Sequence, residues 1–97
     1  MRVFSSKLYS SKDPNIHVFF YSKIGSEPLH THDFIEIMYI NSGEVEEYVN
    51  GKNFVAKKGD LVFMNYNSIH SFNARGRCTY YNICFYPEVL EKVVSPD

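Results

Sequence analysis

Long apolar runs, a charge excess of either sign and a bridgeable pair of cysteines are all missing from this 97-residue chain, and each absence excludes something. No stretch approaches the roughly 20 consecutive apolar residues of a membrane-spanning helix. The N-terminus, Met1-Arg2-Val3-Phe4-Ser5-Ser6-Lys7-Leu8, lacks the apolar core of a secretory signal. Ten Lys and Arg against eleven Asp and Glu leave a formal charge of -1. No basic cluster is available to neutralise phosphates, so the segment is not expected to hold nucleic acid by itself. Cys78 and Cys84 fall in one strand-like run. Their six-residue spacing puts them about 20 Å apart at roughly 3.3 Å per residue. A disulfide spans no more than about 7 Å between Cα atoms. Unbridged thiols and the missing leader predict a cytoplasmic protein without membrane contact. Serine nucleophile elbows, glycine-rich phosphate loops and Cys-x-x-Cys pairs are absent too.

What the chain does have is aromatic and β-branched residues: 44% of it is hydrophobic, with eight Phe and eight Tyr. That is enough to fold one domain over residues 1–97, and the length leaves no room for a second. Strand signals cover Val3 to Tyr9, Ile16 to Lys23, Phe34 to Ile40, Val45 to Val49, Phe54 to Lys57, Leu61 to Met64 and Thr79 to Tyr86. Asn50-Gly51 is the strongest hairpin signal, because both central residues of a type I′ turn need positive φ. Asn41-Ser42-Gly43 and Lys58-Gly59-Asp60 read as neighbouring turns. No helical stretch of ten residues precedes residue 87, so these strands imply an all-β antiparallel sandwich or barrel. Pro87 opens the one helical signal, Glu88 to Val94. The pairs Glu46-Glu47 and Lys57-Lys58 read as solvated strand positions.

Chemistry concentrates in His30-Thr31-His32-Asp33-Phe34-Ile35-Glu36. In one extended strand positions 30, 32 and 36 share a parity, so both imidazoles and the carboxylate project to one side. His70 follows the Leu61 to Met64 strand by a short loop and can return a fourth group to the same cavity. Three imidazoles and one carboxylate suit Fe(II), Mn, Ni, Co or Zn. Asp33 has the opposite parity and fits a turn or solvent, and His17 is given no role. Tyr39, Tyr48, Tyr66, Tyr80 and Tyr81 are candidates to stack on a ligand, although strand aromatics more often pack the core. Cys78 and Cys84 read as small buried hydrophobes.

These residues carry a resemblance. Gly25, His30, His32, Glu36 and Gly43 resemble the first cupin motif, with one residue fewer between Gly25 and His30 than the usual pattern. Gly59 and His70 resemble the second, with Asn65 and Asn67 replacing its proline and glycine and Ala74 where many metal-binding cupins have asparagine. The wording of residues 28–90, including Lys57-Lys58-Gly59-Asp60-Leu61-Val62 and Asn82-Ile83-Cys84-Phe85-Tyr86-Pro87, is similar to the sensor domain of bacterial AraC-family transcription regulators. The resemblance implies a cupin-like double-stranded β-helix, or jelly-roll, barrel with a short C-terminal helix. It implies a small polar effector held by His30, His32, Glu36, Met38, Met64 and His70. It also implies that residues 88–97 begin a linker or dimerisation helix, that DNA is bound only through a helix-turn-helix region beyond this chain, and that a homodimer is an option for the full-length protein. On this reading the domain is no enzyme and requires no cofactor. A divalent transition metal on His30, His32, Glu36 and His70 is the alternative occupant. The rival function is a stand-alone metal-dependent cupin enzyme, an oxygenase or isomerase. A filled barrel without any ligand is a third reading, opposed by four polar side chains that need partners.

Overall fold

The computed structural model describes residues 2–4 and 16–89. Most of the expected strand Val3 to Tyr9 and most of the expected helix Glu88 to Val94 lie outside the described residues; positions 87–89 are helical. Six strands form one sheet: β1 (Arg2–Phe4), β2 (Ile16–His32), β3 (Ile35–Val49), β4 (Lys52–Lys57), β5 (Leu61–Met64) and β6 (His70–Phe85). Their order is β1-β2-β6-β3-β4, and β5 also pairs with β3. Every pairing is antiparallel except that of β1, which runs parallel beside His30–His32 at the end of β2.

Three strands are far longer than the apolar runs suggest, because residues expected to turn the chain bulge it instead. Asn41-Ser42-Gly43 is not a turn: β3 runs through it, with register shifts against β6 between Ile40 and Ser42 and between Ser42 and Glu44. Gly43 sits at φ 84°, and a Cβ built there would lie 2.6 Å from the Arg77 carbonyl oxygen. Only glycine lets the two backbones approach so closely at that dihedral. β2 likewise continues through Gly25 and Pro28, with irregular register against β6 at Ile24/Gly25 and between Glu27 and His30. Proline has no N–H to give a ladder, and a bulge is where a sheet tolerates it.

The expected hairpin at Asn50-Gly51 is present, with φ of 47° and 85°. Lys58-Gly59-Asp60 also turns as expected: Gly59 has φ 92°, and the Lys57 N–H donates to the Asp60 carboxylate at 2.9 Å. Backbone bonds from Gly59 N to Ile40 O and from Ile40 N to Asp60 O tie this turn to β3.

The bulges let each long strand bend, so that the sheet closes over its own inner face. One apolar cluster draws on both halves of β3 and on its partners: Met38, Ile40, Val45, Ala56, Val62, Met64, Ala74, Cys78 and Tyr80. Burying each large member stabilises the fold by roughly 1.5–3 kcal/mol. The outer face is unusually apolar at one end. In register across β2, β6, β3 and β5 stand Val18, Ile83, Ile37 and Phe63, then Phe20, Tyr81, Tyr39 and Leu61. Phe63 and Leu61 are 57% and 67% exposed. The helical turn 87–89 runs onto the edge of this face, where Val89 packs with Ile35 and Phe85.

Candidate functional site

The polar cluster forms at the corner where β2 ends and β3 begins. Positions 30–36 are not one strand, as the parity argument assumed: His30 and His32 close β2, the chain bends at Asp33-Phe34, and Glu36 is the second residue of β3. All three nevertheless turn inward and are buried, as is His70 at the start of β6, which pairs with His30. Asp33 lies exposed in the bend.

His70 owes its placement to asparagines. Asn67 adopts φ 63°, a left-handed conformation that asparagine accepts more readily than other non-glycine residues, so it does the work of the glycine it replaces. The loop is pinned from two sides. Asn67 N donates to His32 O at 2.8 Å and Asn50 N to Ile69 O at 2.8 Å, while Ile69 N donates to Asn50 Oδ1 at 2.8 Å. The end of β2 and the β3–β4 hairpin therefore both fix where His70 enters the barrel.

Three of the four expected residues offer ligand atoms to one another: nitrogens of His32 and His70 and an oxygen of Glu36 all lie within 4.8 Å of each other. His32 Nε2 is 3.8 Å from Glu36 Oε1, too far for a hydrogen bond. Among the described residues no hydrogen bond of normal geometry reaches a ring nitrogen of His32 or of His70, although backbone groups of Phe34 and of His32 itself act on the His32 ring. The His30 ring meets that of His70 edge-on, with centroids 4.0 Å apart. Its Nδ1 donates to the Pro28 carbonyl at 2.7 Å, which orients the ring. Phe34 stacks on the His32 ring at 4.3 Å and holds it in place.

Burial sets the protonation of the cluster. It pushes the His70 imidazole down to about 3, helped by the neighbouring His30 and His32, and it lowers His32. Burial also raises the Glu36 carboxyl to about 7, with the Glu27 charge adding to the effect. At neutral pH His32 and His70 are therefore uncharged beside a Glu36 carboxyl poised between its two states. Neutral imidazoles with free lone pairs and a carboxylate are the donor set of a divalent transition metal, and the buried unpartnered nitrogens fit one.

Beside the cluster lies a cavity of about 160 Å³, bordered by His30 and Glu36. Of the five candidate tyrosines only Tyr80 lines it. Tyr66 and Tyr81 are exposed, Tyr39 lies outside this wall, and Tyr48, beyond the bulge of β3, lines a different cavity. Met38 and Met64 are buried in the apolar cluster and do not line this cavity. Sequence reasoning missed Tyr21, Ser22, Lys23, Glu27, Phe72 and Asn82, which complete the wall. Lys23 is ion-paired with Glu27, and its ammonium stands 5.6 Å from the Phe72 ring centre. The inward parity of β2 at 21, 23 and 27 is readable only once its register against β6 is known.

The acidic pair of β3 corrects another expectation. Glu46 is solvent-facing and bonded to Arg75 Nε at 2.8 Å, but Glu47 is 2% exposed on the inner face. Burial and the Glu36 charge raise its carboxyl to about 8. Cys78 and Cys84 are free and buried as expected, with both thiols pushed up mainly by burial. Among the described residues no helix is long and apolar enough to cross a membrane.

Solved structures with the same fold include cupins. The cupin domain of Schizosaccharomyces pombe Cnp3 is 18% identical with a TM-score of 0.73, over 87% of this chain and 65% of that one. KdgF from a Halomonas species is 16% identical with a TM-score of 0.71, over 77% and 72%. A predicted oxalate decarboxylase from Thermotoga maritima is 27% identical with a TM-score of 0.61, over 73% and 64%. The chain thus spans less than two thirds of the Cnp3 and Thermotoga chains. No curated protein matches it. A family model, the AraC-like ligand binding domain, matches residues 20–95, which include both motifs, the whole cavity wall and the loop that delivers His70. The chain belongs to the family of AraC-like ligand binding domains.

Proposed function

We propose that this domain is the effector sensor of a bacterial transcription regulator of the AraC family, acting in the cytoplasm without a catalytic step of its own. A small polar molecule enters the barrel cavity and is held at the buried cluster of His30, His32, Glu36 and His70. Its binding biases the helix-turn-helix region that family members carry after the sensor. The observation that carries this reading is the set of buried, unbonded ring nitrogens of His32 and His70, which stand behind His30 and Glu36, the two cluster residues that border the cavity. Buried polar groups are normally satisfied, and their desolvation costs about 1–3 kcal/mol each when they are not. A ligand that bonds to them recovers that cost, so occupancy and signal are linked.

The second reading, a metal-dependent cupin enzyme, is favoured by the grouping of His32, Glu36 and His70 within 4.8 Å. Those three residues would hold a divalent transition metal, and the metal would supply a Lewis-acidic anchor for a substrate oxygen. One set of measurements separates the readings. Replacing His32 or His70 by Ala in the full-length regulator is expected to abolish the effector-dependent change in transcription while shifting the thermal midpoint by only a few degrees. A chelator is expected to leave the wild-type midpoint unchanged. A chelator-induced drop of ten degrees or more with one metal per chain would overturn the metal-free reading, because the metal would then contribute to the folding free energy.

A further inference from the structure

Glu47 has no place in the cluster described above, and its surroundings are peculiar. It lies on the inner face of the second half of β3, opposite Phe72 of β6 and Phe54 of β4 in the register. It is almost fully buried. Neither carboxylate oxygen has a hydrogen-bond partner among the described residues. An unpaired buried carboxyl is among the most costly groups a fold can carry, and an apolar residue of similar size would stabilise the barrel. Nothing in the packing of β3 needs an acid there.

The neighbouring groups define what would satisfy it. Glu47 lines a second cavity, of about 330 Å³, together with Glu27, Glu46, Asn53, Phe72 and Asn73. The cations beside these acids are already engaged: Lys23 pairs with Glu27, and Arg75 pairs with Glu44 and Glu46. Of the three acids, Glu47 is left without a counter-charge. An anionic ligand would meet three carboxyl groups here and no uncommitted cation. A ligand that brings its own positive charge would supply both the hydrogen-bond donors and the compensating charge. The Phe72 ring, cross-strand neighbour of Glu47, offers an apolar wall for the carbon skeleton.

We propose that Glu47 anchors the charged nitrogen of a small amine effector in the cavity it shares with Glu27 and Phe72. The proposal rests on the reading of this domain as a sensor and names the chemical class of its ligand, because Glu27 and Phe72 border both this cavity and the one beside the histidines. The test uses three probes of matched length, 1,4-diaminobutane, 1,4-butanediol and succinate, titrated calorimetrically into the 97-residue chain. The diamine is expected to saturate, with the diol and the diacid at least tenfold weaker. Glu47→Gln keeps the shape and removes the carboxyl that a bound ammonium would draw into its ionised form. It is expected to weaken diamine binding by roughly ten- to a hundredfold, the range for losing a charge-assisted hydrogen bond from a buried site, with an unchanged far-ultraviolet spectrum. If the variant fails to fold, the comparison of diamine with diol on the wild-type chain still decides. Equal binding of diol or succinate, or undiminished diamine binding by a folded Glu47→Gln, overturns the amine assignment and leaves the sensor reading intact. Absence of saturable binding by any probe overturns it as well. Failure of the sensor reading shows elsewhere, in transcription that ignores the His32 and His70 substitutions.

Discussion

Four buried ionisable side chains pull the stability of this barrel in opposite directions as pH changes. The Glu36 and Glu47 carboxyls, raised to about 7 and about 8 from an ordinary 4.5, keep protons in the folded chain that the unfolded chain has released. Each therefore costs stability as pH rises from about 4.5 to its folded value. His70, pushed down to about 3 from 6.5, and His32, also lowered, stay neutral when folded while the unfolded imidazoles take up protons. Each of these costs stability as pH falls below about 6.5. Between about 4.5 and 6.5 the two pairs offset each other. Below that window the histidines dominate, and above it the carboxyls do. In the presence of a chelator the thermal midpoint should be highest at mildly acidic pH and should decline from pH 6.5 to 8, with Glu47→Gln flattening the decline. A wild-type midpoint that climbs steadily to pH 8 would contradict the assignment of Glu36 and Glu47 as uncompensated carboxyls.

The strands show which parts of this fold can be read without coordinates. The hairpin at Asn50-Gly51 and the turn at Lys58-Gly59-Asp60 were legible because positive φ restricts the residue types that can stand there. The bulges were not legible, since Asn41-Ser42-Gly43 has the composition of a turn and only its pairing with Thr79 to Arg75 reveals that β3 passes through. Charge alone puts both Glu46 and Glu47 in solvent, and the bulge keeps strand parity from correcting it. Counting by twos from the inward Glu36 makes Glu46 the buried member of the pair, and the extra residue between Ile40 and Ser42 reverses the parity so that Glu47 points inward. The corner at Asp33-Phe34 had the opposite effect, because a bend between two strands returned Glu36 to the side a straight strand would have given it. The bulge at Gly43 also makes a prediction. A Cβ at Gly59 meets nothing within 4 Å, so Gly59→Ala costs only the left-handed dihedral, about 1–2 kcal/mol. At Gly43 the same dihedral is joined by contacts of 2.6 Å to Arg77 O and 2.9 Å to Cys78 Cα. Gly43→Ala should therefore cost roughly 3 kcal/mol or more, since both neighbours are backbone and must be displaced. Urea denaturation of the two variants checks this, and equal midpoints would mean that the close approach is not needed.

At the scale of the whole molecule, the central strand of the sheet is the last one among the described residues. β6 lies between β2 and β3 and pairs with both, so that Ile16 and Ile35 each find their partner in Phe85. A ribosome making this chain from its N-terminus releases β2 and β3 long before the strand that joins them. Until Phe85 has left the exit tunnel, β2 lacks its long antiparallel neighbour, and the inner faces of Met38, Ile40 and Val45 have no Ala74, Cys78 or Tyr80 to pack against. Pairings this distant in sequence form slowly, and exposed strands with apolar faces are prone to associate in the meantime. The barrel should therefore fold in one late step rather than hairpin by hairpin. A chain stopped at Asn65 should show no cooperative melt and should associate with chaperones, whereas one extending through Val89 should melt sharply. A cooperative transition in the shorter chain would show that β3, β4 and β5 form a nucleus on their own. Otherwise the birth of this domain is a waiting period of about seventy residues, the separation of Ile16 from its partner Phe85, during which the nascent chain depends on whatever shields it.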